Sequence, residues 1–117
     1  MVSRGRPCIL VVDDDVSVRS LIRRFLERDG YLVMEAGNGR EALERCRNKT
    51  FEMILTDWDM AEMGGGEFLA HLTGFNPQPP VLVVTGHPGL IPPEWQCLRK
   101  PFHFDELLSR VRAVCRG

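Results

Sequence analysis

Acidic side chains stand where two apolar runs stop. Asp13-Asp14-Asp15 follow Cys8-Ile9-Leu10-Val11-Val12, and Asp57 follows Phe51 to Thr56. A hydroxyl, Thr85, ends the run Val81-Leu82-Val83-Val84, and Lys100 follows a short stretch from Gln96 to Arg99 and precedes Pro101. If these runs are parallel strands, their carboxyl ends share one rim, which is where ligands of an open α/β sheet bind. Carboxylates converging on one point repel each other and raise one another's pKa values unless a cation lies between them. Mg²⁺ suits such a set, since it takes oxygen ligands and is held by one or two carboxylates together with substrate phosphate. Lys100 adds a fixed positive charge and Thr85 a hydroxyl donor. Together these are the parts for binding and transferring a phosphoryl group, chemistry that is mostly positioning and charge neutralisation.

The elements that must position these groups alternate along the chain as strand and helix, which predicts an α/β fold with a parallel sheet. Cys8 to Asp13 is continuously apolar until its last residue, the pattern of a strand buried on both faces. From Asp15, the residues Val18, Leu21, Ile22, Phe25 and Leu26 form one helical stripe ended by Gly30, with Arg19, Arg23, Arg24 and Glu27 opposite. Tyr31 to Ala36 predicts a second strand, and Asn38 with Glu41 three residues later a capped helix closed by Asn48-Lys49-Thr50. Phe51 to Thr56 predicts the third strand, Asp57 to Gly66 a loop, and Phe68, Leu69 and Leu72 a helix, followed by a linker from Gly74 to Pro80. Val81 to Thr85 is the fourth strand, and a short fifth one lies around Gln96 to Arg99. The last helix starts near Phe104, with Leu107, Leu108, Val111, Val114 and Cys115 as its apolar stripe. Between Thr85 and Lys100, Pro88, Pro92 and Pro93 leave room for little more than one helical turn, so a Pro-rich shortened crossover is predicted over 86–96.

The 117 residues suffice for a single domain, and 44% hydrophobic with 26% charged residues excludes disorder and collagen-like repeats. Fifteen Lys+Arg against sixteen Asp+Glu leave a formal charge of -1, which provides no sequence-wide field for a phosphate backbone or an anionic bilayer; neither nucleic acid nor membrane is expected as a direct partner. No apolar run approaches the ~20 residues that span a bilayer. The basic start, with residues 1–6 as a flexible segment, lacks the apolar core of a signal peptide, and a cytoplasmic location is the expectation. Cys8, Cys46, Cys97 and Cys115 show no C-x-x-C pair and lie far from His71, His87 and His103, which argues against zinc. The cysteines are expected to be free and buried or half-buried, and His71 and His87 to be exposed.

The residues at the strand ends, in this order, resemble a response-regulator receiver domain of bacterial two-component signalling. The match rests on Asp13-Asp14, on Asp57 within Ile54-Leu55-Thr56-Asp57-Trp58-Asp59-Met60, on Thr85-Gly86, and on Lys100-Pro101-Phe102, covering residues 8 to 115. The resemblance implies a doubly wound five-stranded sheet of flavodoxin-like order 2-1-3-4-5, here with the fourth helix shortened or absent. It implies that Asp57 is the nucleophile and phosphoacceptor, taking a phosphoryl group from the phosphohistidine of a sensor histidine kinase or phosphotransfer protein. Asp14 would bind Mg²⁺ directly, Asp13 largely through water, and Asp59 through its backbone carbonyl. Lys100 would pair with the phosphoryl oxygens, Thr85 would swing to hydrogen-bond them, and Gly86 would leave space above Asp57. A cis Lys100-Pro101 bond is implied as well.

Several positions depart from the family pattern. Where the family usually has Met-Pro-x-Met-Asp-Gly, this chain has Met60-Ala61-Glu62-Met63-Gly64-Gly65, so the proline that would stiffen the loop is gone. The aromatic switch position, three before the lysine, is Cys97, and Trp95 is expected on the same strand face. With the fourth helix lost, a monomer is expected. Two other readings compete. Asp57-Trp58-Asp59 also looks like the Asp-x-Asp of haloacid-dehalogenase-type phosphatases, but there that motif opens the chain and the acid pair comes late. A receiver-like interaction module without phosphorylation is the other, and the retained Asp13, Asp14, Asp57 and Lys100 argue against it.

Overall fold

In the computed structural model, which describes residues 5–115, the apolar continuity of β1 (Cys8–Val12) is explained by burial of all five residues. Strand periodicity splits them between two cores. Leu10 and Val12 face a cluster with Ala42, Leu43, Phe68, Leu69 and Leu72, whereas Ile9 and Val11 face one with Ile22, Leu26, Leu107 and Val111. The helices that supply these residues are α1 (Val16–Arg28), α2 (Gly39–Asn48), α3 (Gly65–Leu72) and α4 (Phe104–Cys115), so α2 and α3 cover one sheet face and α1 and α4 the other. β2 (Leu32–Ala36), β3 (Met53–Asp57), β4 (Val81–Thr85) and β5 (Gln96–Arg99) complete a wholly parallel sheet of order β2-β1-β3-β4-β5. The order 2-1-3-4-5 is the doubly wound one that the resemblance implied.

Side-chain caps start two of the helices, and the one at Asn38 is the cap the sequence pattern predicts. Asp15 Oδ1 accepts from the Ser17 and Val18 amides at 2.9 and 3.3 Å, and Asn38 Oδ1 accepts from the Glu41 amide at 2.8 Å. Glu41 reaches back, but to the Gly37 amide at 2.7 Å, one residue earlier than a capping box requires. Two expectations need correction. Leu21 and Val114, placed on the apolar helical stripes, are 44% and 42% exposed, because the apolar contact of α1 and α4 is narrower than their apolar faces. On the face opposite the α1 stripe, Arg19 and Arg23 both bond Glu35 of β2. The helix expected from Phe68 begins at Gly65.

The crossover from β4 to β5 contains one 3-10 turn, Pro88–Leu90, where a full helix would otherwise stand. It still seals the sheet, since Ile91 is buried and Trp95 packs with Cys97 against the α2/α3-side core. Trp95 and Cys97 therefore share a face, as expected from their spacing. Cys8 is buried and Cys46, Cys97 and Cys115 are half-buried, and His71 and His87 are exposed. Among the described residues no helix is long and apolar enough to cross a membrane. The segment expected to be flexible, residues 1–6, lies outside the described residues as far as position 4; Gly5 and Arg6 are exposed.

Candidate functional site

At the carboxyl rim of the sheet, one oxygen from each of Asp13, Asp14 and Asp57 lies within 4.8 Å of the others. Their surroundings differ. Asp13 is buried at 4% exposure and every polar group it has is engaged. Its N–H donates to Ala36 O at 3.1 Å and its carbonyl accepts from Arg19 Nη1 at 2.8 Å. Its Oδ1 accepts from the Asp15 amide at 2.9 Å, and its Oδ2 from Lys100 Nζ at 3.1 Å. Asp14 is exposed, and no described residue hydrogen-bonds or pairs with its carboxylate. Asp57 is intermediate: Oδ1 accepts from the Trp58 amide at 2.8 Å, and Lys100 Nζ stands 3.5 Å from Oδ2.

The electrostatics follow from this placement. Burial pushes the Asp57 carboxyl above the ordinary aspartate value; Lys100 opposes the rise, Asp13 adds to it, and the amides of Trp58 and Asp59 oppose it. Lys100 is held above the ordinary lysine value, because Asp13 and Asp57 outweigh the burial that acts against its charge. The lysine thus bridges the nucleophile candidate and the inner acid, and leaves Asp14 as the uncommitted oxygen donor.

β4 and β5 deliver the other two groups. The Lys100 amide donates to Thr85 O at 2.8 Å, continuing the β4–β5 register past Arg99, and the Lys100-Pro101 peptide is cis. Thr85 is buried at 1% exposure, and its Oγ1 accepts from the His87 amide at 3.0 Å rather than reaching Asp57. A side chain at Gly86 would meet nothing within 4 Å, so packing does not require glycine there. Asp59 is exposed and outside the three-carboxylate group, and its contribution to Asp57 runs through its backbone N–H. The structure therefore brings Asp13, Asp14, Asp57 and Lys100 together and leaves the Asp59 side chain and the Thr85 hydroxyl aside.

Two features went unread in the sequence. Gly65 allows α3 to start against the exit of β3: a Cβ there would lie 2.5 Å from Asp57 O and 2.7 Å from Trp58 Cα, and its amide donates to Trp58 O at 2.8 Å. The run Gly64-Gly65-Gly66 was the available signal. The second is Arg19 with Glu35, for which periodicity holds no signal. In the loop that lacks proline, Glu62 adopts φ 64°, left-handed for a side-chain-bearing residue, and Met63 O accepts from the Gly39 amide at 2.9 Å.

An acid cluster with a bridging lysine at the carboxyl rim of a 2-1-3-4-5 parallel sheet defines the receiver arrangement. The response regulator receiver domain family matches residues 9–112, and the chain belongs to that family, the receivers of two-component systems. It is 42% identical over 106 residues to the transcriptional regulatory protein ZraR of Klebsiella oxytoca, an alignment covering 85% of this chain and 24% of that protein. To the response regulator receiver protein CpdR of Brucella abortus it is 32% identical over 113 residues, 91% of this chain and 94% of the other. The structure of the chemotaxis response regulator CheY4 of Vibrio cholerae matches with a TM-score of 0.84 at 30% identity, covering 94% and 99% of the two chains. That of the response regulator TrrA of Thermotoga maritima, in complex with Mg²⁺-BeF, matches with a TM-score of 0.84 at 26% identity, over 92% and 98%. The chain thus spans about a quarter of the length of ZraR and nearly all of CpdR.

Proposed function

We propose that the chain is a phosphoacceptor in a phosphorelay, with Asp57 as the nucleophile. One carboxylate oxygen of Asp57 attacks the phosphorus of a phosphohistidine on a sensor histidine kinase or phosphotransfer protein; the P–N bond breaks and the histidine nitrogen leaves with its electron pair. The observation that carries this reading is the placement of Asp57, half-buried beside Asp13, Asp14 and the Lys100 ammonium. The donor set fits Mg²⁺, being oxygen-only with one acid free of protein partners. Asp13, Asp14 and Asp57 would hold the ion, with the Asp59 carbonyl as a further donor. When bound, Mg²⁺ neutralises the acids and the incoming phosphoryl oxygens.

Lys100 then faces the phosphoryl group, and Thr85 exchanges its bond to the His87 amide for one to a phosphoryl oxygen, which reports the modified state through the 86–96 segment. On this reading the protein catalyses only its own phosphorylation and dephosphorylation, works in the cytoplasm as a monomer, and forms a single receiver domain over residues 1–117. The test is intact mass after incubation with acetyl phosphate. A gain of about 80 Da is expected with Mg²⁺ and is lost with chelator or in Asp57→Asn; equal labelling of the Asn variant overturns the assignment.

A further inference from the structure

The carboxylate of Asp13 is held by two bonds of its own, but that of Asp14 has none from the described residues, so its direction depends on the backbone that carries it. The Asp13 carbonyl and the Asp14 nitrogen belong to one planar peptide. Whatever fixes the carbonyl fixes the plane from which Asp14 departs. That group is Arg19, whose Nη1 donates to Asp13 O at 2.8 Å while its Nε donates to Glu35 Oε1 at 2.9 Å. Glu35 is held in turn, its other oxygen accepting from Arg23 Nη1 at 2.9 Å. The Arg19 and Glu35 side chains are 17% and 22% exposed, and a Cβ at Gly37 would come within 3.3 Å of Arg19 Nη1, so the guanidinium lies in a fitted slot at the β1–β2 exit.

We propose that Arg19 is a positioning residue for the acid pair that receives the divalent cation, oriented by Glu35; the proposal rests on the metal-dependent reading above. Its chemistry is distinctive because Arg19 carries the wrong charge for the task. A guanidinium beside a cation site repels the cation, so removing it on electrostatic grounds alone tightens binding. Loss of a group that fixes the Asp13–Asp14 peptide loosens binding. The two effects have opposite signs, which a merely structural arginine does not produce.

The experiment is a Mg²⁺ titration followed by tryptophan emission in a Trp95→Phe background, which leaves Trp58, whose amide bonds Asp57. Arg19→Gln is expected to raise the Mg²⁺ midpoint about 3- to 10-fold, somewhat below the loss typical when a direct partner of a ligand is removed. Arg19→Lys keeps the charge but cannot span Glu35 and the Asp13 carbonyl with one planar fork, and is expected to raise it too, without rescue. Urea unfolding of each variant establishes that the titrated protein is folded, and the lysine variant carries the test if the glutamine variant does not fold. Unchanged or lower midpoints in folded variants overturn the proposal. A parent that shows no saturable response overturns the metal-dependent reading itself, and the proposal with it.

Discussion

Asp13 and Lys100, 87 residues apart in the chain, meet at 3.1 Å between carboxylate and ammonium. The pair joins the first strand exit to the last across the sheet, and Asp57 stands 3.5 Å from the same ammonium. Lys100 therefore already balances part of the acid cluster before any cation arrives.

Lys100→Ala is expected to bind Mg²⁺ at least as tightly as the parent, because a neighbouring cation no longer repels the ion. The same variant is expected to show a weakened conformational response to beryllofluoride, since on the proposed reading its missing ammonium would pair with the phosphoryl group. Mg²⁺ titration and hydrogen exchange measure the two separately. A large loss of Mg²⁺ affinity contradicts this role.

Gly65→Ala places a methyl group 2.5 Å from Asp57 O and 2.7 Å from Trp58 Cα, both backbone atoms that cannot give way cheaply. We expect a loss of about 2–3 kcal/mol in urea unfolding, in the range of overpacked core positions. Because the displaced backbone is that of Asp57, the proposed nucleophile, acetyl phosphate labelling should slow as well. Parent-like stability contradicts the close approach.

Glu35 connects stability to pH. Burial raises its pKa, but the hydrogen bonds and charges of Arg23 and Arg19 together outweigh burial and hold it below glutamate's ordinary value of 4.5. A carboxyl depressed on folding stabilises above its unfolded pKa, and the contribution fades as pH falls through the folded value. Glu35→Gln should thus cost about 1 kcal/mol at pH 7, with the gap to the parent closing below pH 4.5. A gap that stays constant down to acid pH contradicts the ion-pair account.

How much of this was legible follows from what periodicity encodes. The strand exits and their order place Asp13, Asp14, Asp57 and Lys100 on one rim, because continuous apolar runs mark buried parallel strands and their ends are unambiguous. Periodicity says which face of a helix is apolar, but not where a charged side chain on the other face reaches. The pattern places Arg19 and Arg23 only on the face opposite the stripe, and both bond Glu35. Stripe width is equally invisible, which is why Leu21 and Val114 are exposed. The Gly64-Gly65-Gly66 run read as a loop because glycine opposes helix by propensity, whereas close approach to Asp57 and Trp58 requires it at Gly65.

Trp95 provides a test of the shortened crossover. It packs with Cys97 against the α2/α3-side core, and Cys97 is too small to change much surface by moving. Beryllofluoride is expected to alter hydrogen exchange over residues 86–99 and Trp95 emission in the parent but not in Thr85→Ala, with light scattering reporting a monomer throughout. A phosphoryl-dependent dimer protected across that segment overturns the expectation.

The same crossover bears on how the chain folds. Among the described residues no two strands form a hairpin, so each pairing must close a loop, and the cost of closure grows with the logarithm of its length, by about 0.6 kcal/mol for each doubling. Residues 86–95 join β4 to β5, a shorter span than 58–80 between β3 and β4, and far shorter than the stretch holding α1, β2 and α2 between β1 and β3. In pulsed hydrogen exchange during refolding, the β4–β5 ladder should gain protection no later than β1–β3. On the proposed reading, the half of the rim that would answer a phosphoryl group, Thr85 with Lys100, would then be in place no later than the acids at the exits of β1 and β3.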